Sequence, residues 1–80
     1  MKHAREDYNQ RVQDNKNLIP DDEPVVLLRA QDELACRAVE FYANLCRQHQ
    51  ANDVATTMEN HAKAMRAWPV KHIPDLPDGM

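Results

Sequence analysis

Glycine is almost missing from this chain: Gly79, at the tail, is its only one. No interior helix position is weakened by glycine, and no left-handed glycine is on offer for a tight hairpin turn. Aromatic residues are scarce as well, limited to Tyr8, Phe41, Tyr42 and Trp68. Sheets draw on aromatic and β-branched side chains, so this composition favours helices. No uninterrupted apolar run approaches the roughly 20 residues that span a bilayer. The opening MKHARED has no apolar signal core, so secretion is not expected. A basic excess is missing too. Ten Lys and Arg stand against thirteen Asp and Glu, a net charge of −3 and the wrong sign for a sequence-independent duplex binder.

What is present reads as one small domain of 80 residues, near the lower limit for a self-sufficient core. The organising stretch is Gln31–His49. At about 100° per residue, Leu34, Ala35, Ala38, Val39, Phe41, Tyr42, Leu45, Cys46 and His49 form one arc. Glu33, Arg37, Glu40, Asn44 and Arg47 lie opposite, with Cys36 at the edge. The pattern predicts an amphipathic helix over 32–49, with Asp32 as N-cap. Cys36 and Cys46 on that helix stand about 15 Å apart, too far for a disulfide. Two free thiols suit a reducing cytosol. Cys36 is expected to be accessible and Cys46 protected.

Asn52 or Asp53 can open a second helix running to Trp68, where Pro69 stops it. Val54, Met58, His61, Ala62, Met65 and Trp68 share its inner face. The short linker predicts antiparallel packing of the two helices. Residues 1–20 read as an N-terminal helix and linker, with Ala4, Tyr8 and Val12 as its stripe. Residues 21–68 read as the helical core, where Asp21-Asp22-Glu23-Pro24 starts a turn or two of helix through Val25–Leu28. Residues 69–80, with Pro74, Pro77 and Gly79, read as an extended tail on which Val70, Ile73 and Leu76 could dock. The fold class is all-α: a small antiparallel helical hairpin, a short N-terminal helix and an extended Pro-containing tail.

Candidate chemistry is thin. Cys46, His49 and His61 could supply metal ligands, but the hairpin keeps His61 away from the other two, and no CxxC or HExxH spacing occurs. No metal site and no cofactor is expected. A Cys–His nucleophile pair would lack an oxyanion hole, and no glycine-rich phosphate loop is present. The chain is not expected to be an enzyme. His61 fits a core-edge histidine, and Met58 and Met65 fit adaptable core filler.

The opening HAREDY (His3–Tyr8), the block IPDDEPVVLLRAQD (Ile19–Asp32) and the run HAKAMRAW (His61–Trp68) resemble a family of short proteins of tailed phages and prophages. That family carries HAR-x-DY, IP-x-DEPV-x-LLRAQD and HA-x-x-M-x-x-W, and Val26 stands where it often has an aromatic residue. The resemblance covers most of the chain. It implies a bacteriophage accessory protein acting in the bacterial host cytoplasm, and it carries over no catalytic residue.

The expected function is non-enzymatic: binding that modulates or inhibits a bacterial host protein complex, for instance a defence system such as CRISPR. The partner-binding candidates are Asp21, Asp22, Glu23, Arg29, Glu33, Arg37, Glu40 and Trp68. The acidic members could occupy a nucleic-acid groove by charge complementarity. Two alternatives come from other classes. Arg29, Arg37, Arg47, Lys63 and Arg66 could contact the phosphates of a sequestered nucleotide immune signal, or the chain could be a minor virion or assembly protein. A homodimer would bury surplus apolar surface at Trp68 and Val25-Val26. Neither duplex nucleic-acid binding nor a membrane is expected.

Overall fold

The computed structural model describes residues 1–74 and divides into two compact units, Met1–Leu27 and one covering Leu28–Pro74. Among the described residues three helices and one strand pair form.

In the first unit, β1 (Lys2–His3) runs parallel to β2 (Pro24–Val25), and a single helical turn, α1 (Tyr8–Arg11), lies between them in sequence. The longer N-terminal helix expected from Ala4, Tyr8 and Val12 does not form. Three apolar residues cannot offset the cost of nucleating a helix. The first residues instead take extended backbone, with Lys2 N–H donating to the Glu23 carbonyl and Ala4 N–H to that of Val25. The same pairing overturns the helical reading of Val25–Leu28. The sequence showed no second strand, because its partner is a polar two-residue segment with no alternation to betray it.

The unit gathers on Tyr8, which is buried. The guanidinium carbons of Arg5 and Arg11 stand 4.7 and 5.5 Å from its ring centroid. His3 meets the ring edge-on at 6.3 Å. Arg5 also holds the Asp7 carboxylate through two hydrogen bonds of 2.8 and 3.1 Å, which keep that carboxyl below its ordinary range.

The second unit is built on α2 (Ala35–Gln48) and α3 (Asn52–Ala67). Both expected long helices are present, but α2 is capped two residues later than expected, at Leu34. Asp32 does not cap it. The Asp32 carboxylate instead accepts the Leu34 N–H at 2.8 Å, forming a turn ahead of the helix. The backbone there is already committed, since Asp32 bridges to His72, Glu33 N–H donates to the His72 carbonyl and His72 N–H donates to that of Gln31. Lys71 ties the same strap down. Its ammonium donates to the Ala30 carbonyl at 2.9 Å and to the Met65 carbonyl near the end of α3 at 2.7 Å, which also accepts the Trp68 N–H. The expected extended segment after Pro69 is thus a paired strap as far as Pro74. The docking of Leu76, and the influence of Pro77 and Gly79, lie outside the described residues.

The corner between the helices has a defined cap. Ala51 N–H donates to the Cys46 carbonyl and Gln50 N–H to that of Arg47, with Gln50 at φ 64°. This is a Schellman motif with glutamine at the left-handed position where glycine is usual. Gln50→Gly removes the Cβ clash and should stabilise the hairpin by about 1 kcal/mol, a rise in Tm of about 4–8 °C in calorimetry.

Two cross-helix ion pairs give the register: Arg66 with Glu40, and Arg47 with Glu59. As α2 advances from 40 to 47, its partner retreats from 66 to 59, so the helices are antiparallel, as expected. The seam between them differs from the expected one. Ala35, Cys36, Ala43 and Cys46 of α2 are buried, and so are Ala55, Ala62 and Met65 of α3. Leu34, Tyr42 and Leu45, which the sequence places in the core, are exposed. Small side chains let the axes approach toward the lower end of the roughly 8–10 Å range for packed helices. Bulky residues at the seam would hold them apart.

Candidate functional site

The apolar arc of α2 is wider than one neighbour can cover. Cys36, Val39, Ala43 and Cys46, spaced three, four and three residues apart, line the seam with α3. Leu34, Ala38, Phe41 and Leu45, spaced four, three and four apart, make a second stripe about 150° around the helix, on the side away from α3. Phe41 is 66% exposed and Tyr42 beside it 52%.

The ion pairs show where this second stripe lies. Glu40 and Arg47 flank the α2 seam on one side and meet Glu59 and Arg66, so those flanks share one face of the hairpin. Asn44, Asn60 and Lys63 join Glu40 and Glu59 there around a shallow polar depression. On the opposite flank Tyr42 and Ala38 of α2 lie on the same side of the hairpin as Val54 and His61 of α3, whereas Leu34, Phe41 and Leu45 fall on the outer side of α2, away from α3. Trp68 is 53% exposed. The hairpin is thus ion-paired along one flank, and α2 carries an exposed apolar stripe on its outer side.

The residues singled out from the sequence are spread over both units. Asp21, Asp22 and Glu23 lie exposed in and after the turn that leads into β2. Arg29 and Glu33 are exposed ahead of α2, and Arg37 falls on the outer side of α2. Glu40 is engaged by Arg66, and that hydrogen bond raises the guanidinium above its already high ordinary pKa. Arg47 is engaged by Glu59 and Thr56. Two of the cations considered for phosphate contacts are therefore already neutralised within the hairpin. Among the candidates placed in the hairpin unit, Trp68 alone is apolar and exposed, and it follows α3 as its extended C-cap.

Cys46 is buried in the seam, while His49 and His61 are exposed. Among the described residues no group of three or more His, Cys, Asp or Glu side chains is placed to hold a metal ion. The Cys46 thiol, one turn on from Tyr42, raises the phenol above its ordinary pKa through a hydrogen bond.

Both cysteines are buried, Cys36 at 5% and Cys46 at 9% exposure. This corrects the expectation that Cys36 is accessible. The seam is centred closer to Cys36 than the bulky residues suggested, so a thiol at the edge of the apolar arc became part of the interface. Native thiol labelling should be slow at both positions and accelerate in parallel with added denaturant.

The functional feature missed from the sequence is the division of the α2 arc into two stripes. The small residues spaced three and four apart, from Cys36 to Cys46, were the available signal. Comparison with protein-family models, curated proteins and solved structures finds no match for the chain.

Proposed function

We propose that this chain is a non-enzymatic binding protein that works through the exposed apolar stripe on the outer side of α2. The observation that carries this reading is the exposure of Leu34, Phe41 and Leu45 on the outer side of α2, with Tyr42 beside them. An exposed apolar patch of this extent marks an interaction site, because a monomer gains nothing by keeping it in water. Aromatic residues at its centre are the side chains that most often anchor protein interfaces.

The resemblance of the HAREDY, Ile19–Asp32 and HAKAMRAW stretches extends the proposal. The chain is read as a bacteriophage accessory protein in the bacterial host cytoplasm that modulates or inhibits a host complex, with a defence system such as CRISPR as one target class. Two of these stretches coincide with structural centres. His3, Arg5, Asp7 and Tyr8 make the cluster of the first unit, and Ala62 and Met65 lie in the hairpin seam with Trp68 exposed at the end of α3. The test is affinity capture from a bacterial lysate with the unmodified chain and with Phe41→Glu. Host proteins retained by the first and lost by the second support the reading. Identical recovery by both removes the stripe from the function.

A further inference from the structure

We propose that the free edge of β2 pairs with the same edge of a second copy of this chain, antiparallel and centred on Val26. The proposal goes beyond the α2 stripe, because none of its residues belongs to that stripe.

The sheet of the first unit has two strands, where roughly three are needed for a sheet to be stable by itself. Its β1 edge is closed, since the His3 N–H donates to the Asn9 side-chain oxygen at 2.9 Å. Its β2 edge is open. The carbonyls of Glu23 and Val25 accept from Lys2 and Ala4, so residues 23 and 25 aim at β1. Successive residues of a strand direct their backbone groups to opposite edges, so the Pro24 carbonyl and both groups of Val26 aim away from β1. Among the described residues the backbone groups of Val26, Leu27 and Leu28 make no hydrogen bond within the chain. A row of unpaired N–H and C=O groups is a template for another strand. The side chains along it are apolar and open too, Val26 at 66% exposure and Leu27 and Leu28 at 38% each.

Charge decides which strand fits. The segment reads Glu23-Pro24-Val25-Val26-Leu27-Leu28-Arg29, acidic at one end and basic at the other. Laid antiparallel on itself about Val26, it sets Glu23 of each copy opposite Arg29 of the other. Both residues are exposed, and neither has an ion pair among the described residues. Laid parallel, it would set Asp21, Asp22 and Glu23 against the same three carboxylates, and like charges directly opposite are destabilising.

The backbone agrees with the antiparallel register. Val26, whose two groups aim outward, exchanges both hydrogen bonds with its equivalent in the other copy. Pro24 falls opposite Leu28, where its carbonyl can accept the Leu28 N–H and its missing N–H costs one bond. The result is one continuous sheet with a β1 strand at either end. So short a strip buries less than the roughly 800 Å² per partner of a stable interface, which makes the contact a weak one.

Sedimentation equilibrium on the full chain, from about 20 μM to about 2 mM, tests the pairing where mass action populates a weak dimer. Hydrogen exchange of the Val26 amide is followed by NMR in the same samples. The unmodified chain should move from monomer toward dimer across the range, with Val26 exchange slowing as it does. Glu23→Arg alone, or Arg29→Glu alone, sets like charges opposite each other and should weaken association about tenfold. An equimolar mixture of the two single variants should recover it, because each supplies the charges that the other now lacks. Phe41→Glu should leave the dimer intact, which keeps this test apart from that of the α2 stripe. A monomer throughout, or Val26 exchange that ignores concentration, overturns the proposal. So does a dimer that both charge reversals leave unchanged, or a mixture no tighter than its components. A dimer dissolved by Phe41→Glu overturns it as well and assigns association to the stripe. A monomer whose Val26 exchange slows only with captured host proteins bound overturns the second copy and gives the edge to a partner's strand.

Discussion

Met65→Ala should cost the hairpin about 2–5 kcal/mol, the range for truncating a buried methionine, and lower Tm by well over 10 °C at about 4–8 °C per kcal/mol. Met65 is the one large side chain in the cluster it forms with Ala35 and Cys36, which Ala30 and Val39 pack against. No neighbouring bulk can collapse into the space it leaves, because the facing residues are small. Its carbonyl also accepts the Lys71 ammonium, so a shift of the last turn of α3 disturbs the strap at His72 as well. Thermal unfolding monitored by circular dichroism reads the loss. A change below half a kcal/mol would place Met65 outside the core.

Ala62→Leu tests the opposite error, too much volume. Ala62 is fully buried in the alanine seam, as are Ala43 and Ala55. Three added carbons must either push the helices apart or force strained rotamers, at about 1–3 kcal/mol. Separating the axes would also stretch the Arg47–Glu59 and Arg66–Glu40 pairs that cross the seam. Leucine is a better helix former than most residues and only slightly worse than alanine, so a loss of stability here reports on packing and not on helix propensity. Leu45→Ala is the informative contrast. Full burial would make it cost about 2–5 kcal/mol, but Leu45 is 38% exposed, and the single hairpin should lose about 1 kcal/mol. Denaturant titration of both variants reads the two losses.

Local order is largely written in the chain's own periodicity. The spacing of apolar and charged residues over 32–49 and 53–68 is enough to require two amphipathic helices, Pro69 is enough to end the second, and the short corner is enough to make them antiparallel. Each of these follows from interactions within a few residues along the chain. The same reasoning missed the strand pair, because Lys2–His3 and Pro24–Val25 have no pattern until they meet across twenty residues of sequence. It also misplaced the seam. Hydrophobicity ranks Leu34, Phe41 and Leu45 above Ala35, Ala43 and Cys46, so a one-partner reading puts the bulky residues inside.

Tertiary packing decided otherwise for a geometric reason. Two helices approach most closely where both present small side chains, and the Ala55–Ala62–Met65 stripe of α3 matches the Ala43–Cys46 stripe of α2. The two ion pairs then bridge the helices along one edge of that seam. By itself the sequence determined that α2 has an apolar arc too wide for one neighbour. Only the tertiary structure decided which half of that arc α3 takes and which half is left open, since periodicity along one helix carries no information about the partner's shape.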